Sequence, residues 1–311
     1  MNFHEFTTQV ISEMRRRFPG YDIQVQEVPK LQGESYTGMA IHPSGGDIAL
    51  TMDLEALFDR FRNDLYLGNT MKAIAREIKE AVAQMPQFDT EALTNYERMK
   101  EKLTLQLVPS AKNKNLLTDI PHRNIEDMAL VYHFDMGHNE RTSSSILVTN
   151  KMLNAYGISA AQLHDDALEA ASHSCPATLR NMNEVIHNMA GQTDPSPMWV
   201  ASIENGQNGA CVIQYPHFLD DAAETLGGSF YVLPSSIHEV LLLADDTSPS
   251  LSELENMVRT INQAEVAPEE RLSDNVFHYD CESHIFENAR TFEARLSAVE
   301  QSVANTELFE A

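Results

Sequence analysis

The chain has 311 residues, of which 42% are hydrophobic and 22% are charged. This composition is typical of a folded protein with one large domain or two small lobes, and it has too many large apolar residues for a disordered chain. No run of about 18 or more apolar residues occurs, so the sequence predicts no transmembrane helix. The first residues lack the basic start and apolar core of a signal peptide, and we expect a cytoplasmic protein.

The charge is strongly negative and unevenly distributed. Lys and Arg number 22 against 46 Asp and Glu, giving −24. Residues 1–151 hold 17 basic and 21 acidic side chains, a net of −4, whereas residues 152–311 hold 5 and 25, a net of −20. Such a surface repels phosphate backbones, so we expect no direct nucleic-acid binding. It favours either simple solubility or a partner with a basic surface.

The first third of the chain predicts a helix, then short strands, then more helices. Phe3, Phe6, Val10 and Met14 lie on one face of a helix that ends near Pro19-Gly20, and Arg15–Arg17 at its end complement the helix dipole. The further predicted elements are strands near 22–28, 36–42 and 47–51, a hairpin turn at 44–46, helices from Asp53, over 71–85 and near 90–101, and a strand at 103–108.

The rest of the chain predicts two more groups of strands and helices. Ser159 and Gln162 form the capping box of a helix that buries Leu163, and Ser250 and Glu253 form a second box. The predicted elements are strands near 127–135 and 144–149, the helix from Ser159, then strand 198–203, strand 210–214, helix 216–226, strand 229–234, strand 237–244 and helix 251–264. These connections are too short for parallel crossovers. We therefore predict an α+β fold of mixed or antiparallel sheets packed with helices, with a ββαββα-like C-terminal half.

The predicted elements divide the chain into three parts. Residues 1–110 form an N-terminal helical and β-hairpin lobe, and residues 111–285 form a C-terminal α+β lobe. Residues 286–311 form an amphipathic helix or a tail, because Phe292, Leu296, Val299 and Val303 repeat at helical spacing. This last stripe packs on its own domain, or it contacts a second copy or a partner.

The twelve histidines do not form a recognisable metal motif. A site built from His133, His138 and His238 is conceivable, but the spacing differs from that of a zinc-protease helix, which needs two histidines four apart. Cys175, Cys211 and Cys281 are too scattered for a zinc knuckle or a disulfide framework, which favours a reducing compartment. We predict neither a metal nor another cofactor.

Catalytic motifs are likewise missing. There is no Gly-x-Ser-x-Gly nucleophile elbow and no glycine-rich phosphate loop. Polar residues at strand ends can still converge across a fold without a local motif. The residues that we select as a candidate polar site on this ground are His122, Ser235, Ser236, His238, Glu239, Ser273 and Asp274.

Several blocks span roughly residues 20–280, and no single block is specific. In order they are Tyr36–Ile41 with Ile48–Phe61, Lys102–Leu107 with Asn115–Leu117 and Ile120–His122, Asp127–Tyr132, Val148–Asn150 with Met152-Leu153 and Gly157–Ser159, Leu233–Val240, and Met257-Val258 through Asn262 to Pro268–Glu270, Leu272–Asp274 and Tyr279-Asp280. Together they resemble an uncharacterised bacterial family called domain of unknown function 5688. His133, Asp135 and His138 depart from the family pattern, which argues against a metal site there.

The resemblance implies a fold but no activity. Members of the family tend to occur in bacterial accessory and mobile gene content, which favours an interaction or regulatory role. Our leading hypothesis is a non-enzymatic binding or regulatory protein with a basic partner. The alternatives are a hydrolase-like or metal-dependent enzyme with a site near residues 234–240, and an acidic mimic of DNA that inhibits a DNA-binding protein.

Overall fold

The computed structural model describes residues 1–298 except 34, 44–49, 65, 84–89, 139–142, 188–195, 235 and 246–248. The chain forms two compact units, an N-terminal unit of Met1–Thr94 and a C-terminal unit of Asn95–Ala311. In the described part of the chain, no helix combines the length and hydrophobicity needed to cross a bilayer.

The N-terminal unit packs helices against a three-stranded antiparallel sheet. Its elements are α1 (Phe3–Arg17), β1 (Tyr21–Val28), β2 (Tyr36–Pro43), β3 (Leu50–Asp53), α2 (Leu54–Asp64), α3 (Leu67–Ala83) and the short α4 (Thr90–Leu93), with strand order β1-β2-β3. Phe6, Val10 and Met14 are fully buried, which confirms the predicted face of α1. The predicted turn at 44–46 lies outside the described residues.

A four-stranded antiparallel sheet begins the C-terminal unit. Its elements are α5 (Tyr96–Met99), a 3-10 turn (Lys100–Lys102), β4 (Leu103–Pro109), α6 (Ser110–Leu117), β5 (His122–Ile125), β6 (Met128–His138), β7 (Ser143–Leu147), α7 (Asn150–Tyr156) and α8 (Ala160–Ser174). Strand β6 is central: it pairs β4 on one side and both β5 and β7 on the other. Ser159 caps α8 through the Gln162 amide, and Leu163 is fully buried, as predicted.

The second sheet of this unit has six antiparallel strands in the order β13-β12-β10-β11-β9-β8. Its elements are β8 (Ala177–Asn181), α9 (Met182–His187), β9 (Met198–Ile203), a 3-10 helix (Gly209–Gln214), α10 (Phe218–Leu226), β10 (Phe230–Leu233), β11 (Val240–Ala244), α11 (Leu251–Ala264), β12 (Phe277–Asp280) and β13 (Ile285–Asn288). Three antiparallel sheets packed with helices confirm the α+β class.

Two local predictions were wrong. The apolar run at 210–214 is a buried 3-10 helix instead of a strand, so the ββαββα order lacks its second strand. Apolar runs of this length do not distinguish a strand from a buried helix. A side chain on Gly209 would lie 2.6 Å from the His238 carbonyl oxygen, so this glycine permits the close packing. The helix predicted near 90–101 is broken in two, because the Asn95 side chain caps α5 by accepting from the Arg98 amide.

The C-terminal stripe is helical as far as the structure describes it. Residues 289–298 continue from β13 as a helix. The Phe292 ring stacks on His278 with centroids 3.6 Å apart, whereas Leu296 is 44% exposed. The described half of this segment therefore packs on its own unit through Phe292. Val299 and Val303 lie outside the described residues.

Candidate functional site

Two of the polar blocks selected from the sequence run side by side in the C-terminal unit. The Ile237 amide donates to the Glu270 carbonyl (2.9 Å) and the Ser273 amide donates to the Pro234 carbonyl (3.1 Å). Ser236 forms an isolated antiparallel bridge with Arg271. Ser236, His238 and Ser273 are therefore placed in one region, which we call the 234–275 junction. Ser235 lies outside the described residues.

Both ring nitrogens of His238 are engaged in this junction. Nδ1 accepts the Asn208 amide at 3.1 Å, and Nε2 lies 3.5 Å from Oε1 of Glu270. A ring nitrogen that accepts a backbone N–H carries no proton, so this network assigns the proton of the neutral ring to Nε2. The carbonyl of the same residue accepts from the Ser202 hydroxyl at 2.7 Å. His238 thus holds the loop around Asn208 in place.

The two serines of the junction also hold backbone. The Ser236 hydroxyl oxygen accepts the His238 amide at 3.0 Å. The Ser273 hydroxyl donates to Oδ2 of Asp127 at 2.7 Å and accepts the Asn275 amide at 3.0 Å. In the described residues neither hydroxyl contacts an imidazole, and the acceptor of the Ser273 hydroxyl is the Asp127 carboxylate, which also accepts from Asn275.

Asp127 and Asn262 complete the junction, and neither is among the residues selected from the sequence. Asp127 also accepts from the Asn275 amide group at 2.9 Å, while the Asn262 amide donates to the Ser273 carbonyl (2.9 Å) and to Oδ1 of Asp274 (2.6 Å). Asn262 is 1% exposed. The hydrogen bonds of Asp127 join residues more than a hundred positions apart, so they have no local signal. Asn262 lies near the end of a capped helix and reaches residues 11 and 12 positions further on.

The other selected residues lie apart from these contacts. His122 is in β5, opposite Val131, and its recorded hydrogen bond joins Nδ1 to the Ile120 carbonyl at 3.1 Å. Glu239 is exposed. In the described residues, no three His, Cys, Asp or Glu side chains converge in a way that could hold a metal. Burial lowers the pKa of His133 to about 4, and its Nε2 is shielded from solvent without a partner among the described groups.

A second polar cluster lies under α8. Arg123 donates to Nε2 of His164 at 2.6 Å, and Nδ1 of the same ring lies 3.0 Å from the Tyr132 hydroxyl. Burial, together with the Arg123 charge, lowers the pKa of His164, and burial raises the pKa of Tyr132 to about 12. A neutral imidazole that accepts from arginine and donates to a phenol is satisfied on both sides, which indicates a core histidine rather than a reactive one.

A third cluster joins α10 to the turn between β12 and β13. Asp220 accepts from the Tyr279 hydroxyl and lies 2.7 Å from Nδ1 of His284. These two hydrogen bonds, first that of Tyr279, lower the pKa of Asp220. His217 and His284 both have positive φ, 63° and 55°, so this turn and the start of α10 are held in a conformation that side chains rarely adopt.

Arginines in residues 152–311 are largely occupied within the protein. Arg290 and Arg259 both contact Glu255, at 2.6 and 3.2 Å, and Arg295 contacts Asp280 and Glu287, at 3.0 and 2.7 Å. Arg271 donates to the Val266 carbonyl at 3.0 Å. Four of the five basic residues of this half are thus committed to three acids and one carbonyl. Most carboxylates here lack a Lys or Arg partner among the described residues.

Some of these carboxylates border an open cavity of about 430 Å³ beside α8. Its lining includes Glu101, Asp166 and Glu169, with His173 and Lys100. The ammonium group of Lys100 lies 2.7 Å from Glu97, and Asp166 accepts from the Tyr96 hydroxyl at 2.7 Å. Glu101 and Glu169 are exposed, so this part of the surface is anionic.

The described residues thus define an α+β protein with three antiparallel sheets, hydrogen-bonded polar junctions and an anionic C-terminal unit. The chain belongs to the family of unknown function DUF5688, whose model matches residues 3–281. This confirms the resemblance seen in the ordered blocks. Comparison with curated proteins and with solved structures gives no match.

Proposed function

We propose that this is a non-enzymatic binding or regulatory protein of the bacterial cytoplasm, encoded in accessory or mobile gene content, whose C-terminal unit engages a partner with a basic surface. One observation carries the proposal: four of the five arginines of residues 152–311 are bonded internally, to Glu255, Asp280, Glu287 and a carbonyl. The remaining carboxylates of this half have their charge available to an approaching cation.

Charge of this kind acts mainly on encounter and specificity. A surface of one sign raises the association rate of an oppositely charged partner and repels anionic competitors, and the effect weakens as salt is added. Exposed carboxylates cost little to keep in water when the partner is absent. The proposed role therefore depends on the negative charge, the most unusual feature of the composition, and does not require an active site.

The polar junctions support binding over catalysis. A catalytic base needs a nitrogen or oxygen that can take a proton from a neighbouring nucleophile or water. The described nitrogens of His238 face a backbone amide and Glu270, and those of His164 face Arg123 and Tyr132. The ring nitrogens of both histidines therefore already have partners within the fold.

Affinity capture of the full-length chain at low and high salt tests the proposal. The test variant is Glu101→Gln/Glu169→Gln/Glu224→Gln, which neutralises three exposed acids of the C-terminal unit. The matched control, Asp22→Asn/Asp59→Asn/Glu80→Gln, removes the same charge from the N-terminal unit. Proteins captured at low salt are identified by mass spectrometry and re-bound in purified form.

The proposal expects a basic protein that binds the wild type and the control equally, binds the test variant more weakly, and dissociates at high salt. Failure to enrich any protein at low salt would count against a binding role. Equal binding by both variants would move the interaction away from the C-terminal unit.

A further inference from the structure

The N-terminal unit has a cavity of its own that the proposed partner surface does not use. It has a volume of about 480 Å³ and lies between α1 and the start of α3, a size within the usual range for small-molecule pockets. The residues that line it are Thr8, Gln9, Ser12, Glu13, Arg17, Leu67, Gly68 and Met71. Seven of these eight carry a side chain, five polar from α1 and two apolar from α3.

The cavity lies beside the buried face of α1, next to the first turns of α3. On α1, Phe6, Val10 and Met14 face the core, and the cavity residues Gln9, Glu13 and Arg17 follow one another at four-residue spacing on the neighbouring face. On α3, Met71 turns into the core and is 5% exposed, and Gly68 contributes no side chain. The Tyr66 ring, 63% exposed, borders Gly68: a side chain there would start 3.2 Å from it.

The cavity lining has one carboxylate and one guanidinium, those of Glu13 and Arg17, and the exposed Arg16 outside the lining adds a second guanidinium beside Glu13. Glu13 is shared by two arginines, with Arg17 Nε at 2.6 Å and Arg16 Nη2 at 2.7 Å. These hydrogen bonds lower the pKa of Glu13 to about 2, so this carboxylate stays ionised and already has its cations. Two guanidinium groups against one carboxylate give one uncompensated positive charge.

Arg17 has donors left for a ligand. Its Nε is used by Glu13, and Nη1 makes one long contact of 3.5 Å with the Met71 carbonyl. Nη2 has no acceptor among the described groups, and neither the Ser12 hydroxyl nor the Gln9 amide has a partner there. Guanidinium presents N–H groups in a plane that matches a carboxylate or phosphate. Hydroxyl and amide donors on the same face add hydrogen bonds to the remaining oxygens.

We propose that this cavity binds a small anionic ligand, a carboxylate or a phosphate, whose oxygens contact Arg17, Ser12 and Gln9 and whose apolar part lies over Leu67, Met71 and Tyr66. The net charge of −24 opposes anion binding at long range, but screening limits that repulsion to about 8 Å at physiological ionic strength. Contacts inside the cavity therefore decide the affinity. The site is independent of the partner surface on the C-terminal unit.

Calorimetric titration of the full-length protein tests this site with three probes: hexanoate, the uncharged hexanamide of the same shape, and inorganic phosphate. We expect saturable binding of hexanoate or phosphate with a Kd in the millimolar range or below, and hexanamide about tenfold weaker than hexanoate. The hexanoate and phosphate arms show which oxyanion the cavity prefers.

Three substitutions test whether the anion binds in this cavity. Arg17→Met keeps an apolar stem and removes the guanidinium, and it should weaken anion binding about tenfold or more. Arg76→Met, at an exposed arginine of α3 whose partner among the described residues is Glu80, is the matched control and should bind as the wild type does. Gly68→Leu puts a large side chain into the cavity at an exposed helical position and should abolish binding without unfolding the unit.

Two results would overturn the proposal. One is the absence of saturable binding of both hexanoate and phosphate to the wild type. The other is anion binding that Arg17→Met and Gly68→Leu leave unchanged while thermal unfolding shows both variants folded. Because the partner-capture variants alter no residue of this cavity, failure here leaves the proposed function of the C-terminal unit untouched, and the reverse also holds.

Discussion

At the scale of single residues, histidine and serine side chains selected as candidate site residues form hydrogen bonds that hold the fold. His238 and Ser273 belong to the polar blocks that the sequence predicts to converge, and each is bonded to backbone or to a neighbouring acid. Two of the blocks selected from the sequence lie side by side. The sequence could not show the role of Asp127, because a hydrogen bond between residues 127 and 273 depends on the whole fold.

Asp127→Ala should destabilise the C-terminal unit by about 1–3 kcal/mol, because it leaves the Ser273 hydroxyl and the Asn275 amide group without their acceptor. Both donate to Oδ2 of Asp127, at 2.7 and 2.9 Å. Urea unfolding at neutral pH measures the change. Asp119→Ala, at an exposed acid, is the control. Equal stability of the two variants would show that the junction contributes nothing.

His133 should make the protein less stable in acid. Burial lowers its pKa from 6.5 to about 4. Between these two pH values the unfolded chain therefore binds a proton at this histidine and the folded chain does not. The stabilisation is complete above the unfolded pKa and is lost as the pH falls from about 6.5 towards 4, by roughly 1–3 kcal/mol. His133→Leu should therefore flatten this part of the curve of unfolding free energy against pH. A substitution of exposed His4 by Gln serves as control, and identical slopes in the two variants would contradict the assignment.

At the scale of elements, periodicity and capping were reliable where several local signals agreed. Helix α8 begins at a Ser159 cap and buries Leu163, as the cap residue and the apolar spacing predicted. Helix α11 begins at the predicted capping box of Ser250 and Glu253. The run at 210–214 had hydrophobicity as its one signal, and it forms a 3-10 helix whose first residue, Gly209, packs close to the His238 carbonyl. That contact joins residues distant in sequence, so no local pattern could predict it.

Leu163→Asp should unfold the C-terminal unit, because the side chain is fully buried on α8 and an unpaired charge there costs several kcal/mol. Gln162→Asp places the same charge one residue earlier on the exposed side of the first turn, where the helix dipole favours an acid. Circular dichroism melting separates the two. A wild-type melting temperature for Leu163→Asp would show that the core face is misassigned.

Phe292 should anchor the C-terminal helical segment, since its ring stacks on fully buried His278 with centroids 3.6 Å apart. Phe292→Ala should cost about 1–3 kcal/mol through lost packing. Leu296→Ala, one turn further on at a 44% exposed position, should change stability by less than about 0.5 kcal/mol. If chemical denaturation showed the same small loss of unfolding free energy for both substitutions, the segment would not contribute to the fold.

At the scale of the whole molecule, charge is divided unequally between the two units. Residues 1–94 hold 9 basic and 14 acidic side chains, a net of −5, whereas residues 95–311 hold 13 and 32, a net of −19. Like charges on a compact body repel one another and lower its stability. The arginines that pair with Glu255, Asp280 and Glu287 relieve this only locally. The acidic unit therefore carries an electrostatic cost that a basic partner, or salt, can reduce.

Added salt should consequently stabilise the C-terminal unit. Raising NaCl from about 10 to 100 mM shortens the screening length from about 30 to 10 Å, which weakens repulsion across the unit more than it weakens ion pairs in contact, such as Arg290 with Glu255 at 2.6 Å. Its melting temperature should rise over this range, and Glu101→Gln/Glu169→Gln/Glu224→Gln should reduce the rise. A melting temperature that falls with salt would mean that the internal ion pairs outweigh the repulsion, and the carboxylates would then have no excess energy for a partner to relieve.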